Sequence, residues 1–385
     1  MTDPDWIDAD AACALLGVRP QTLYAYVSRR LLRARSDTAD ARRSLYARAD
    51  VEALARRHRR PRARASIAAQ SIRWGEPVLE TSISDIRDGT LYFGTRAAAD
   101  CAATMGLEEV AAHHCHVADF TPPRRLPPPP PGDTPLHRAL TLLAVEAASG
   151  APMRGRQAGE IACDGAALMS RIADALIGAA HPGPIHDRLR QAWGLDAEAA
   201  DTVRRALVLL SDHELNPSTF AVRVCASTGA SLAAAMLAGL TTLTGPLHGG
   251  VAPMARAAIR ASERGPRAIE AFIGDHAEPG PYAYGLGHPL YPAGDPRATA
   301  LLARMPPDAP VLRHVRRLSD RLGQPANVDM ALAACVAQYD LPPDAGFRLF
   351  AIGRLAGWIA HAIEQSVTGK IIRPRARFAP HGAAG

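Results

Sequence analysis

The chain has 385 residues and a formal net charge of +6, and 48% of its residues are hydrophobic. This length and apolar content predict a globular protein of two or three domains and exclude an intrinsically disordered chain. The six cysteines are scattered, the N-terminus is acidic, and no uncharged apolar stretch is long enough to span a membrane. We therefore expect a soluble, cytoplasmic protein with reduced thiols. The segment His113-His114-Cys115-His116 lacks the spacing of a known metal site, and we expect no metal.

The positive charge is concentrated near the N-terminus. Residues 19–64 contain 14 arginines and four acidic residues, whereas residues 65–385 carry no formal net charge. A short basic segment joined to a neutral body is typical of a nucleic-acid-binding module attached to another domain.

Residues 7–60 predict a small helical module with a helix-turn-helix. Gly17 closes a first helix, and Pro20 stands at the first position of a second. The arginine-rich stretch 31–46 predicts a two-stranded wing, and Asp50 begins a third helix. This order of elements resembles the winged helix-turn-helix of MerR-type regulators and excisionases. We assign the module to residues 1–60.

By that resemblance, the second helix would enter the major groove of DNA and the wing would reach phosphates. The candidate contacts are Gln21, Thr22, Tyr24 and Arg29 in the second helix and Arg42 and Arg43 in the wing. The alternative is a module for protein contacts, with its arginines on a solvated face. Because one such module usually binds DNA weakly, the rest of the chain would have to supply a dimer. A linker is expected at 61–76.

Most of the remaining chain predicts helices. Four segments between residues 136 and 210 carry apolar residues at helical spacing. Residues 122–135 contain eight prolines and predict an extended surface loop. No glycine-rich phosphate loop or nucleophile elbow stands out, which removes the commonest nucleotide-binding and hydrolase classes.

The stretch from His213 to Gly250 combines a polar cluster, an apolar helical run and a glycine-rich turn. Pro217 stands where a helix can begin, and a run of about 25 small or apolar positions with little charge follows, which must be buried on nearly every side. The run ends at GPLHGG, in which a single histidine, His248, is flanked by helix-breaking residues. A histidine in such a turn is well placed to contact a ligand.

Five segments, in this order, resemble citrate synthases. They read HELN-STFA-RV from residue 213, GPLHGG at 245–250, GLGHPLYPAGDPRA at 285–298, NVDMALA at 327–333, and LFAIGRLAGWIAHAIEQ at 349–365 with KIIRPRARF at 370–378. The resemblance implies a mainly α-helical homodimer with a short β-structured entry. Its large domain would comprise residues 77–250 and 346–385, and its small domain, residues 251–345, would close over the substrates.

The resemblance also implies a chemistry. Acetyl-CoA, a co-substrate, would condense with oxaloacetate, and citryl-CoA would be hydrolysed without a further cofactor. Asp329 would be the general base, while His248 and His288 would donate to the enol oxygen and to the oxaloacetate carbonyl. Positive charge suits the two carboxylates of oxaloacetate. The implied oxaloacetate-binding residues are His213, Arg297, Arg354 and, from the partner of a homodimer, Arg373.

Two alternatives remain at this point. Val251 after GPLHGG, Pro289 after His288 and Met330 after Asp329 depart from many citrate synthases, although the proposed catalytic groups are intact. A 2-methylcitrate synthase would use the same residues on propionyl-CoA, because one methylene contributes only about 1–3 kcal/mol to discrimination. The second alternative is a transcriptional regulator that senses oxaloacetate or an acyl-CoA. The presence of the base favours an enzyme, because a sensor would not need one.

Overall fold

The structure is a computed structural model with two compact units, Met1–Glu80 and Thr81–Gly385. It describes residues 5–16, 18–28, 31–37, 40, 43–52, 54, 79–124, 126–276, 280–376 and 378. Two of the candidate DNA contacts, Arg29 and Arg42, lie outside the described residues, as does the whole expected linker 61–76.

Among its described residues, the first unit contains two short helices, a further helical segment and a small antiparallel sheet. The elements are β1 (Trp6–Ile7), α1 (Ala9–Leu16), α2 (Pro20–Ser28), β2 (Ala34–Ser36) and β3 (Ser44–Ala47), with strand order β1-β3-β2. The two helices and the strand pair therefore occur where the sequence predicts them. Helical backbone also begins at residue 48, slightly before the expected start. The core of this unit consists of Ile7, Ala12, Leu16, Leu23, Leu32, Tyr46, Val51 and Leu54.

The second unit is mainly helical, as the resemblance implied. It begins with an antiparallel meander of β4 (Ser84–Arg87), β5 (Thr90–Phe93) and β6 (Arg96–Ala97). The described helices that follow are α3 (Ala98–Thr104), α4 (Leu107–Cys115), α5 (Pro135–Ser149), α6 (Ala158–Ile177), α7 (Ile185–Trp193), α8 (Ala197–Leu209), α9 (Pro217–Ser227), α10 (Leu232–Leu243), α11 (Val251–Glu263), α12 (Pro266–Asp275), α13 (Pro296–Leu302), α14 (Pro310–Leu322), α15 (Val328–Gln338) and α16 (Ala345–Thr368), with a 3-10 turn at Pro281–Tyr284 before α13.

The proline-rich stretch precedes α5 and is not helical. Residues 122–124 and 126–134 lie outside helices and strands. The helix starts at Pro135, where the missing N–H costs nothing, and the Thr134 side chain caps it by accepting from the backbone N–H of His137 at 3.1 Å.

The apolar run after His213 forms two helices and not one. After α9 the chain turns through Gly229, which has a φ of +82°, a conformation that favours glycine. The Ser231 hydroxyl then accepts from the backbone N–H of Ala234 at 3.2 Å and caps α10. The low charge of the run concealed this break, because turn and cap residues are themselves small.

The core of the second unit divides into two hydrophobic clusters. Every buried member of the smaller cluster lies between Ala255 and Cys335, within the segment expected to be the small domain. Helix α15 contributes to both clusters, with Leu332 in the larger and Ala334 in the smaller. The domain boundaries themselves stay a prediction. Residue 329, in the first turn of α15, thus lies near the junction of the two cores.

Helix α16 runs through the larger cluster and is buried along most of its length. Two of its glycines allow other backbone to approach. A Cβ atom on Gly353 would lie 2.8 Å from the carbonyl oxygen of Leu207, and one on Gly357 would overlap the carbonyl oxygen of Ser211. The backbone at the end of α8 and in the segment after it therefore packs closely against α16. Among the described helices, none is long and apolar enough to cross a membrane.

Candidate active site

His213 lies in the short segment between α8 and α9 and is buried. Its Nε2 atom is 2.9 Å from the hydroxyl oxygen of Tyr291, and its ring meets the ring of His288 edge-on with centroids 5.2 Å apart. Burial lowers the pKa of His213 well below its ordinary value, and the positive charge of Arg297 lowers it further. This histidine is therefore neutral at pH 7.

His288 is a neutral hydrogen-bond donor. Its Nδ1 atom accepts from the backbone N–H of Leu290 at 3.2 Å, which assigns the ring proton to Nε2. Burial, followed by the charge of Arg297, lowers the pKa of His288 to about 4. A neutral imidazole with an Nε2–H group is suited to polarise a carbonyl oxygen.

His248 follows α10, in the turn at 245–250. Its Nε2 atom is 2.8 Å from the hydroxyl oxygen of Ser218, near the start of α9. Because the Ser218 hydroxyl donates to Oδ1 of Asn216 at 2.7 Å, its oxygen accepts here from the Nε2–H group of His248. Burial, followed by Arg354, lowers the pKa of His248 to about 4. His248 is therefore also neutral at pH 7.

Asp329 carries a buried carboxylate. The helix cap is supplied by its neighbour Asn327, whose side chain accepts from the backbone N–H groups of Asp329 and Met330. Within the described part of the chain, the Oδ1 atom of Asp329 has no hydrogen-bond partner. Burial raises the pKa of Asp329 to about 7, although Arg297 opposes this shift. Such a carboxylate is suited to remove a proton near neutral pH.

Two buried arginines supply positive charge to the same cluster. Arg297 forms a two-pronged ion pair with Asp295, with N···O distances of 3.0 and 2.8 Å. Arg354 donates from Nε to the carbonyl oxygen of Leu210 at 2.8 Å. Its Nη1 atom is buried without a partner among the described residues, so this guanidinium retains a donor for a bound anion. Burial lowers the pKa of Arg354 to about 10, which keeps it charged at pH 7.

Six of the seven residues implied by the resemblance line a common region, since charges or ring contacts connect each of them to at least one other. They are His213, His248, His288, Arg297, Asp329 and Arg354. Arg373 differs, because it is exposed on the segment after α16 and no described contact joins it to the other six. Its role across a dimer interface stays a prediction.

Comparison with known proteins shows the family of the chain. A sequence model described as "Citrate synthase, C-terminal domain" matches residues 165–375, more than half of the chain. The chain belongs to the citrate synthase family. It is 32% identical over 189 residues to the citrate synthase of Haloferax volcanii, an alignment that covers 46% of this chain and 50% of that protein. It is 30% identical over 184 residues to 2-methylcitrate synthase 2 of Corynebacterium glutamicum, covering 45% and 48%. The chain thus spans about half the length of the curated relatives it matches.

Solved structures show that the citrate synthase fold extends further than the sequence matches. The citrate synthase of Thermotoga maritima superposes with a TM-score of 0.65 at 22% identity, covering 81% of this chain and 96% of that one. That of Thermoplasma acidophilum, solved as a ternary complex with carboxymethyl coenzyme A and oxaloacetate, gives 0.62 at 22% identity, covering 80% and 95%. At this identity the likeness shows the fold.

The sequence of this citrate synthase family member did not by itself point to two of the site residues. Tyr291 and Ser218 both lie inside the segments that carried the resemblance, so the signal was present. Their importance appears only with their partners, His213 and His248, because the residues of each pair are 78 and 30 positions apart.

The candidate DNA contacts in the first unit are accessible where they are described. On α2, Gln21 and Tyr24 are exposed and Thr22 is half-buried. Arg43, beside β3, is exposed and lies 3.8 Å from the carboxylate of Asp40. DNA binding by these residues stays a prediction. Among the described residues, no group of three or more His, Cys, Asp or Glu side chains is placed to hold a metal ion.

Proposed function

We propose that this protein is a citrate synthase-type acyltransferase that condenses acetyl-CoA with oxaloacetate and hydrolyses the resulting citryl-CoA. The observation that carries this proposal is the buried carboxylate of Asp329. Its pKa is raised to about 7, and it shares a region with neutral histidines and charged arginines. A structural carboxylate would be paired, whereas a general base must remain available.

The first step is removal of a proton from the acetyl methyl group by Asp329. A carboxylate is a weak base for a C–H bond, so the developing oxyanion must be stabilised at once. His248 would donate from Nδ1 to the enolate oxygen, in the tautomer that forms when Ser218 turns its hydroxyl from Asn216 to Nε2. Because His248 is neutral, it retains this proton on the ring throughout the step.

The second step is attack of the enolate carbon on the oxaloacetate carbonyl. The Nε2–H group of His288 would donate to the carbonyl oxygen as the new carbon–carbon bond forms. His213, Arg297 and Arg354 would hold the substrate carboxylates, and Arg373 would complete the site from the partner of a homodimer. Water then cleaves the thioester of citryl-CoA, giving citrate and coenzyme A.

Propionyl-CoA is the alternative acyl donor. The relatives include both citrate synthases and 2-methylcitrate synthases at similar identity. The same residues would serve both reactions, and one methylene contributes only about 1–3 kcal/mol to discrimination.

Thiol release tests the proposal. The full chain is assayed with acetyl-CoA and with propionyl-CoA, with and without oxaloacetate, alongside Asp329→Ala and a surface control, Asp320→Ala. We expect oxaloacetate-dependent release that only the first substitution abolishes, and the ratio of the two rates names the preferred donor. If folded, dimeric protein releases no thiol from either thioester, the assignment as an enzyme is wrong.

We infer further that the first unit binds DNA, as the exposed side chains of α2 and the accessible Arg43 support. Binding is measured by fluorescence anisotropy on fragments of genomic DNA over a series of salt concentrations. Tyr24→Ala should change the sequence preference, while Arg43→Ala should lower the slope of log affinity against log salt concentration by about one.

The alternative of a ligand-sensing regulator requires that oxaloacetate change DNA affinity. By linkage, DNA must then change oxaloacetate affinity by the same factor.

A further inference from the structure

The segment that carries His213 is held by its backbone and side chains against α16. The carbonyl oxygen of Leu210 accepts from Arg354, and that of Ser211 accepts from the backbone N–H of Gly357 at 2.9 Å. The Ser211 hydroxyl is 2.9 Å from Nε2 of His114. Such a density of buried hydrogen bonds fixes the backbone on one side of His213.

Asp212, the residue before His213, extends this arrangement. Its carboxylate is fully buried and accepts from the hydroxyl of Ser84, whose oxygen in turn accepts from the backbone N–H of Glu214 at 2.9 Å. On its other side, Nε2 of His361 lies 3.2 Å from Oδ1 and 3.3 Å from Oδ2. The Asp212 carboxylate therefore connects the residues on either side of His213, Asp212 itself and the backbone of Glu214, to His361 on α16.

The hydrogen bonds of His361 define its role. Nη1 of Arg223 lies 3.4 Å from Nδ1 of His361, and because a guanidinium can only donate, Nδ1 is the acceptor. The ring proton is then on Nε2 and points at Asp212. Arg223 in turn donates at 2.8 Å to Glu364, which lies three residues after His361 on α16.

Arg354 and His361 are two turns apart on α16 and so lie on the same face. The negative charge of Asp212 opposes the burial that lowers the pKa of Arg354. Transferring a charged carboxylate from water to the protein interior costs free energy. A fully buried Asp212 is therefore expected only where it has a role.

We propose that His361 and Asp212 are positioning residues for oxaloacetate, which orient His213 and Arg354 without contacting the substrate. This inference rests on the proposed function of the same site. His361 holds Asp212, and Asp212 holds the backbone of 212–214 and places a negative charge behind Arg354. Acyl-CoA binding does not depend on this arrangement.

The test compares His361→Leu, which removes the donor, with His361→Gln, which supplies an N–H group at a similar reach. Oxaloacetate affinity is measured by calorimetry on the full chain, and KM for the acyl-CoA is measured separately. We expect oxaloacetate affinity to fall at least about tenfold in the leucine variant, with the KM for acyl-CoA within about twofold, and the glutamine variant to recover most of the loss. His314→Leu, which removes a histidine contact to Ser262 on α11, is the matched control.

A ligand-free readout separates this inference from the proposed function. The ¹⁵N signal of the His213 ring, assigned by its loss in His213→Asn, should shift in His361→Leu and return in His361→Gln. If wild type fails to bind oxaloacetate while this signal responds, the proposed function fails, whereas the positioning of His213 by His361 stands. An unchanged His213 signal with unchanged oxaloacetate affinity overturns the inference. If the leucine variant does not fold, Ser84→Ala replaces it, because this substitution removes the hydrogen bond on the other side of Asp212. The same measurements, oxaloacetate affinity and the His213 ring signal, then decide the inference.

Discussion

Asp295 holds Arg297 through two parallel hydrogen bonds, and the same carboxylate accepts from the backbone N–H of Val328 at 3.0 Å. One buried acidic residue thus positions a proposed oxaloacetate arginine and the first turn of α15, which carries the proposed base. Both partners of the ion pair are almost fully buried.

Replacing Asp295 with Asn should destabilise the fold. It leaves the buried charge of Arg297 without its partner, a loss that typically costs about 3–5 kcal/mol. Urea denaturation at fixed protein concentration measures it. Glu270→Gln breaks a similarly short ion pair to Arg321 on an exposed surface and should cause no measurable change. Equal effects of the two substitutions would contradict the role given to Asp295.

The pH dependence of the reaction should reflect one ionisation. Asp329 acts as a carboxylate, and its pKa is raised to about 7, so activity should rise with pH through this value. His248 and His288, with pKa values lowered to about 4, remain neutral over the same range. Measured with both substrates well below KM, kcat/KM should fall about tenfold per pH unit below pH 6. A flat profile from pH 5 to 8 would exclude Asp329 as a base with this pKa.

The same carboxyl group should make stability depend on pH. Because its folded pKa lies above the unfolded value of about 4, the folded state binds this proton more tightly, and stability is lost as pH rises from about 4 to about 7. Asp329→Asn removes this dependence. Its free energy of unfolding relative to wild type should therefore increase by about 2–3 kcal/mol between pH 5 and pH 8. A difference that does not vary with pH would show that the group titrates normally.

Tyr291 should contribute to oxaloacetate binding through His213. Tyr291→Phe removes the hydroxyl 2.9 Å from Nε2, and a net hydrogen-bond contribution of about 0.5–1.5 kcal/mol corresponds to roughly two- to thirteenfold weaker affinity. Tyr284 is a matched control, since its buried hydroxyl has no partner within the described residues. Calorimetry should find Tyr284→Phe unchanged, and an equal loss in both variants would remove the special role of Tyr291.

The sequence identified six candidate residues that the structure brings together, but it did not identify the contacts that support them. His248 and Asp329 stand in short segments with a distinctive local order, so resemblance could locate them. Ser84 supports the site through Asp212, 128 residues away, and no local pattern reports such a contact. The two-helix nature of the run after His213 was also missed, because a cap serine and a turn glycine look like further small residues in an apolar helix.

The assignment of Arg373 to the partner's site can be tested by mixing two inactive variants. Arg373→Ala would lack the arginine that completes the neighbouring site, and Asp329→Asn would lack the base in its own. In a mixed dimer of these chains, one of the two sites has both residues intact. After subunit exchange at equal concentrations, about a quarter of wild-type activity should return, because half of the dimers are mixed and each has one working site. If Arg373 instead serves the site of its own chain, each mixed dimer has no intact site, and the mixture stays as inactive as its components.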